Sequence, residues 1–134
     1  GLFASAGYLA RYGMPLTPED LPRHRLVGYR FTTSNRLLPL VLLKDGEELT
    51  VDMALGIVTN GIEVTADAIR QGLGIGRLFE PIHRLQPDRD ELIPVLEPYW
   101  RSYPAVFLYF PQNSQRARRI RAVIDFLAES PRAA

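Results

Sequence analysis

The sequence predicts an α/β domain with helices packed on a sheet. Three observations lead there. Short apolar runs of strand length alternate with segments of helical spacing. Glycines and prolines, ten and eleven of them, punctuate the boundaries. The length of 134 residues suits one hydrophobic core and is too short for two ordinary domains.

The elements follow in order. Leu2-Phe3-Ala4 reads as a strand entered partway, with no initiating methionine, so the chain is expected to be part of a longer polypeptide. Ala6 to Tyr12 reads as a short helix, with Gly13 as its left-handed stop. Met14-Pro15 enforces an extended link. Thr17-Pro18-Glu19-Asp20 is a helix start: a cap, a proline in the first turn, and acids at the positive dipole end. Pro22 keeps that helix short. Leu26 to Phe31 is apolar enough for a strand, and Thr32-Thr33-Ser34-Asn35 is a polar loop. Leu37 to Leu43 contains a proline and reads as an edge segment. Asp45-Gly46 signals a hairpin turn into Leu49, Val51 and Met53, which alternate with polar residues as a half-buried strand does. Gly56 to Thr59 continues as a buried strand until Asn60-Gly61 breaks it.

Glu63 to Gln71 is a helix with Val64, Ala68 and Ile69 on one side and Gly72 as its stop. Ile75 to Phe79 is a short buried strand, and Pro81 to Asp90 is a polar connection with one helical turn. Leu92 to Leu96 is a strand. Pro98 to Pro104 is an aromatic loop bracketed by prolines. Ala105 to Phe110 is strand-like and ends at Pro111. From Ser114 to Ala128, Ala117, Ile120, Val123, Ile124 and Leu127 recur at helical spacing.

Composition excludes several functions. Sixteen basic against fifteen acidic residues leave a charge of +1, which gives no basic field for coating a polyanion. No apolar run approaches the roughly 20 residues that span a bilayer, so no membrane partner is expected. Cysteine is absent; thiolate metal sites, thiol nucleophiles and disulfides are excluded, and the composition fits a reducing cytoplasm. His24 and His83 alone leave little for a metal centre or a His-based triad. No metal, no cofactor and no catalytic residue is expected.

Candidate motifs reduce mostly to ordinary structure. Gly72, Gly74 and Gly76 do not make a dinucleotide loop, because the third required position falls on Arg77 or Phe79 and the order is helix then strand. A helix stop and a tight turn account for them. Arg116, Arg118, Arg119 and Arg121 read as a solvated helix face. Glu47-Glu48, Asp88, Asp90 and Glu91 read as solvent-facing carboxylates, and His24 as a surface turn or cap. Tyr99, Trp100 and Tyr103 suit either packing or stacking. Two strand ends remain. Thr32 to Asn35 and Asn60-Gly61-Ile62-Glu63 follow apolar strands, and the second precedes a helix. Ligands of open α/β sheets favour the crevice beyond the carboxyl ends of strands.

Tyr8-Leu9-Ala10-Arg11-Tyr12-Gly13, then Pro15, then Thr17-Pro18-Glu19-Asp20-Leu21 with His24, resembles the entry into the second effector-domain lobe of LysR-type transcriptional regulators. Gly72-Leu73-Gly74-Ile75 resembles their G-x-G-I segment. Val106 to Pro111 followed by Arg121 to Leu127 resembles their C-terminal strand and final helix. The ordered match covers essentially the whole chain. It implies a periplasmic-binding-protein-like lobe, a mixed sheet flanked by helices. Residues 6–104 would be the second regulatory lobe of a partial effector-binding domain, residues 1–5 and 105–111 the crossing strands, and residues 114–129 the final helix of the first lobe. The DNA-binding domain would lie outside this chain. Relatives often carry Asn-Asp where this chain has Asn60-Gly61, Leu-Pro where it has Leu78-Phe79, and an aromatic residue near Leu40.

The resulting expectation is a ligand-sensing regulatory piece of a cytoplasmic homo-oligomer, without catalysis. A small, anionic effector would sit against Thr32, Thr33 and Ser34, the Asn60, Gly61, Ile62 and Glu63 turn, and Arg77. Promoter DNA would be a partner only through the missing winged helix-turn-helix. The alternatives are a small α/β enzyme using carboxylates and a transport-type solute-binding module, which would carry a secretion signal upstream.

Overall fold

The computed structural model describes residues 1–102, 109 and 118–129. The chain forms two compact units, Gly1–Arg101 and Ser102–Ala134. The first contains seven strands: β1 (Leu2–Ser5), β2 (Arg25–Tyr29), β3 (Leu40–Lys44), β4 (Glu47–Val51), β5 (Ala54–Thr59), β6 (Ile75–Arg77) and β7 (Leu92–Val95). Its helices are α1 (Ala6–Tyr12), α2 (Ile62–Arg70) and α3 (Glu80–Leu85), with 3₁₀ turns at Pro18–Arg23, Arg89–Glu91 and Glu97–Tyr99.

Five strands form one mixed sheet in the order β5-β2-β6-β1-β7, and β3 and β4 form a separate hairpin. β2 runs parallel to both β5 and β6. β1 runs antiparallel to its neighbours β6 and β7. Residues 1–5, expected as a crossing strand, thus contribute the fourth strand of this sheet. Each face of the sheet carries a core. Leu2, Ala4, Ile75 and Val95 pack with Tyr8, Leu9, Leu21 and the hairpin residues Leu40 and Leu42. Phe3, Val27 and Leu92 pack with Ala66, Ala68 and Ile69 of α2 and with Leu78.

Local chemistry explains the boundaries. Ser5 caps α1 by accepting the Tyr8 N–H, and Gly13 closes it at φ +86°. Asp20 accepts the N–H groups of Leu16 and Thr17 at 3.1 and 3.0 Å, which starts the Pro18–Arg23 turn; these bonds hold its carboxyl below the usual range. Asp45 and Gly46, both at positive φ, make the hairpin turn. Gly72 stops α2 at φ +68°. A Cβ on Gly74 would lie 2.5 Å from the Arg25 carbonyl oxygen, so only glycine lets this turn lie on β2. The glycine triplet is a helix stop and a close approach, as its order predicts.

Several expectations are corrected. Gly56 to Thr59 belongs to an exposed edge strand, not a buried one: Leu55 and Val58 are 45% and 36% exposed. Among the described strands β5 has a neighbour on one side only, and a bulge at Gly56 shifts its register against β2. The apolar run from Leu37 enters its strand only at Leu40, because Leu37 is spent on a single bridge to Arg30. β6 ends at Arg77, although Leu78 stays buried. The polar connection holds α3 and a 3₁₀ turn. Asp88 does not face solvent freely; it pairs with Arg70 of α2, which also binds Asp67. That guanidinium holds the Asp88 carboxyl below its ordinary range.

His24 does cap the Pro18–Arg23 turn, its backbone N–H on the Leu21 carbonyl at 2.9 Å, but its side chain is buried and not part of a surface turn. The Tyr8 hydroxyl accepts the Arg25 N–H at 2.9 Å and lies within hydrogen-bond distance, 3.3 Å, of His24 Nδ1. The two rings also touch at a tilt, 5.8 Å between centroids. Burial lowers the His24 pKa and outweighs the nearby Asp20 carboxylate, which raises it.

In the second unit, α4 (Arg118–Glu129) carries Arg118 and Arg119 on exposed positions, and Arg121 donates to Asp125 four residues on at 3.0 Å. Ile120, Val123 and Leu127 are exposed too. The expected helix start at Ser114 and, Tyr109 apart, the expected strand from Ala105 to Phe110 lie outside the described residues.

Two outcomes follow. Gly74→Ala should lower stability by about 1–3 kcal/mol through backbone overpacking, whereas Gly7→Ala, with open space at its Cβ, should raise it by about 0.5 kcal/mol; urea denaturation measures both. The second outcome concerns acid. With the folded His24 pKa below the ordinary 6.5, the unfolded chain takes the proton first as pH falls. The stability due to neutral His24 is therefore complete above that value and declines as pH drops through it. The urea midpoint should fall between about pH 7.5 and about pH 5.5, and His24→Gln should flatten that fall.

Candidate functional site

The parallel pairing of β2 with β5 and β6 sends three carboxyl ends to one edge of the sheet. Tyr29 sits opposite Thr59, and Val27 opposite Gly76. Arg30, one residue past β2, donates its N–H to the Thr59 carbonyl at 2.7 Å. The turn after β2 and the turn after β5 therefore lie side by side.

The first turn is closed by its own backbone. Leu38 N–H bonds the Tyr29 carbonyl at 2.8 Å, Phe31 N–H the Arg36 carbonyl at 3.0 Å, and Asn35 N–H the Phe31 carbonyl at 2.9 Å. Arg30 pairs with Leu37 in antiparallel sense. Asn35 takes φ 54°, a conformation its short amide tolerates. Thr32, Thr33 and Ser34 fill the loop tip, all exposed.

The second turn is fixed from beneath. Thr59 and Thr65 are buried, with hydroxyls 2.7 Å apart. Thr65 donates to the Gly61 carbonyl at 2.8 Å, so its single proton is committed and Thr59 donates to it. The longer contact from Thr59 to the Gly28 carbonyl, 3.3 Å, competes for that same proton. This hydroxyl pair ties the end of β5 to the first turn of α2. Asn60 is exposed at the break. Gly61 occupies the cap of α2 and supplies no side-chain acceptor, which leaves the first N–H groups of α2 turned outward near Ile62 and Glu63.

Arg77 ends β6 at the same edge but on the other face. Gly76 gives room to Ile69 of α2, where a Cβ would come within 2.6 Å. The next residue therefore points away from α2, and the Arg77 guanidinium donates to the Pro39 carbonyl at 2.8 Å. The structure thus brings Thr32 to Ser34 beside Asn60 to Glu63, and separates Arg77 from the α2 start by the thickness of the sheet. Sequence reasoning missed Thr59 and Thr65; two threonines six residues apart across a strand-to-helix break are the signal that marks them. Arg30 was missed as well.

A pocket of about 560 Å³ lies at the opposite pole, lined by Ser5, Tyr8, Arg11, Tyr12, Arg70 and Asp90 among others. Ser5 there is committed to the Tyr8 N–H, and Arg70 to Asp67, Asp88 and Gln86, while Arg11, Gln71 and Glu91 also line it. Concavity and strand-end chemistry disagree about where a ligand belongs. The strand ends carry the stronger argument, because they present hydroxyls and helix N–H groups outward. Both histidines are occupied in packing: His24 with Tyr8, and His83 stacked on Phe3 at 4.2 Å. Trp100 leans on Phe3 and donates to the Val95 carbonyl at 2.8 Å. No group of three metal-ligating side chains occurs among the described residues, and none of the described helices is long and apolar enough to cross a membrane.

Comparison with known proteins agrees with this architecture. The "Probable HTH-type transcriptional regulator LtrA" of Klebsiella pneumoniae is 30% identical over 131 residues, covering 95% of this chain and 41% of that protein. The HTH-type transcriptional regulator YcaN of Escherichia coli K12 is 27% identical over 124 residues, covering 92% and 40%. The chain thus spans about two fifths of the length of these relatives. The regulatory domain of CrgA, a LysR-type transcriptional regulator from Neisseria meningitidis, superimposes with a TM-score of 0.71 at 25% identity, covering 96% of this chain and 63% of that one. The expected mixed sheet flanked by helices is the fold of these regulatory domains. The family model described as the LysR substrate binding domain matches residues 1–132, and the chain belongs to that family.

Proposed function

We propose that this chain is the small-molecule-sensing part of a cytoplasmic LysR-type DNA-binding regulator, and that residues 6–104 form its second regulatory lobe. One observation carries the proposal: three parallel strands deliver a hydroxyl-bearing turn and a helix start to one edge. In this reading Thr32, Thr33 and Ser34 supply hydroxyls to the effector, Asn60 its amide, and Gly61, Ile62 and Glu63 backbone N–H groups. Arg77 adds positive charge from the opposite face. Such an edge is one wall of a cleft, and the facing wall would come from the first lobe. Residues 1–5 and 105–111 are assigned as crossing strands and 114–129 as the final helix on that basis.

The mechanism is a population shift. An effector moves an equilibrium between lobe arrangements only by its difference in affinity for them. It binds the arrangement that brings both walls to it. The change is then read out by a winged helix-turn-helix on promoter DNA. The relatives named as HTH-type regulators support this division of labour. Assembly into a homo-oligomer belongs to the same reading.

Two tests apply. In a full-length regulator containing this chain, Thr33→Ala together with Asn60→Ala should abolish the transcriptional response to effector while promoter binding persists; an unchanged response removes those positions from the site. Separately, the chain alone should fail to retard promoter DNA in a gel at physiological salt. Tight, sequence-specific retardation would falsify the assignment of DNA reading to another domain.

A further inference from the structure

Arg30 occupies an unusual position in the turn after β2. It is half-buried, and its backbone N–H joins β2 to β5. Its side chain folds across the turn, where Nη1 donates to the Asn35 carbonyl at 2.9 Å and approaches the Asn35 side-chain oxygen at 3.5 Å. These two contacts use one terminal nitrogen. The Nε–Nη2 edge makes no hydrogen bond to a described residue, and Arg30 forms no ion pair among them. No side-chain nitrogen or oxygen among the described residues is buried without a partner, so that edge reaches solvent.

The geometry of the remaining edge is specific. Nε–H and Nη2–H point in parallel and match the two oxygens of a carboxylate. A surface arginine would lose side-chain entropy on adopting this pose. Here the bond to Asn35 has already fixed the guanidinium plane. Counting along β2 from Val27, which packs against α2, Gly28 and Arg30 fall on the opposite face. Arg77 lies on that face also, on the neighbouring strand. Two guanidinium groups therefore raise the potential there, and Thr32, Thr33 and Ser34 ring the same turn with hydroxyl donors.

Resting on the sensing role proposed above, we infer that Arg30 is the specificity-determining residue of the site and that the effector is a carboxylate, gripped bidentately through the Nε–Nη2 edge. Asn35 is the positioning residue. The hydroxyl turn completes the carboxylate's remaining hydrogen bonds.

The experiment is an NMR titration of the whole chain, labelled with ¹⁵N, using benzoate, the neutral isostere benzamide, and inorganic phosphate as probes. Benzoate should move the Arg30 Nε–Hε signal saturably, together with the amides of Thr32, Thr33 and Ser34, while benzamide leaves them in place. Arg30→Lys keeps the charge and loses the fork; it should weaken benzoate by about tenfold or more. Arg36→Gln should change little, because Arg36 closes the turn through its carbonyl. Equal binding of benzoate to the Arg30→Lys protein overturns the role of Arg30 and leaves the sensing site standing. Phosphate binding as tightly as benzoate overturns the carboxylate assignment. If no probe moves Arg30 or the turn amides, the inference fails; if Asn60 to Glu63 also stay unmoved by every probe, the sensing reading loses its support as well.

Discussion

The parallel ladder centred on β2 is the constraint from which the rest of the first unit follows. β2 shares its two edges with β5 and β6, both running its way. Parallel neighbours need a crossover between them, and α2 is the crossover from β5 to β6. The ladder closes because glycine stands where backbone meets backbone or where a helix side chain lies on the sheet. Gly56 lies against the Leu73 carbonyl, Gly74 against Arg25 and Gly76 against Ile69. A side chain at any of these points would push strand or helix off the sheet. Once the ladder forms, strand ends that are far apart in sequence share one edge.

Position on that edge is then set by hydrogen bonds of limited number. Thr59 and Thr65 have one proton each, and the bond to the Gly61 carbonyl takes one of them. Arg30 and Leu37 close the neighbouring turn through the backbone. The threonine pair is buried beneath the exposed residues of its turn, whereas the Arg30–Leu37 bridge lies nearer the surface. The sheet also sorts chemistry by face. α2 and its N–H groups belong to one side, Arg30 and Arg77 to the other. A ligand lying across the edge meets dipoles from one face and full charges from the other.

Much of this was legible in the sequence, and the exceptions have physical causes. α1 and its Gly13 stop follow from spacing and a left-handed terminus, as does the Asp45-Gly46 turn; both are local signals. Thr32 to Asn35 and Asn60 to Glu63 were marked because they follow apolar runs, and tertiary structure placed them together. The exposure of β5 was not legible, since strand order decides which apolar strand becomes an edge. His24 and Asp88 were misplaced for a related reason. Each is polar and near a turn, and only a partner distant in sequence, Tyr8 or Arg70, draws it inward. Arg30 falls within the run Leu26 to Phe31 that reads as strand; its fixed guanidinium emerges only with the turn that folds over it.

A single wall of strand ends binds weakly, and that weakness suits a sensor. If one lobe alone held an effector as tightly as the closed pair, binding would carry no preference for closure and would shift nothing. In the proposed reading the exposed turn, the helix start and the half-buried Arg30 would each provide part of an effector's hydrogen bonds, leaving its other side to a facing wall. The differential affinity that sensing requires thus follows from the incompleteness of this edge. The pocket at the opposite pole is lined from within one unit and has no such dependence on a second wall. The same reasoning gives Arg30 its proposed place: a charge fixed on one wall would grip a carboxylate in any lobe arrangement, while the hydroxyls and N–H groups of both walls would distinguish open from closed.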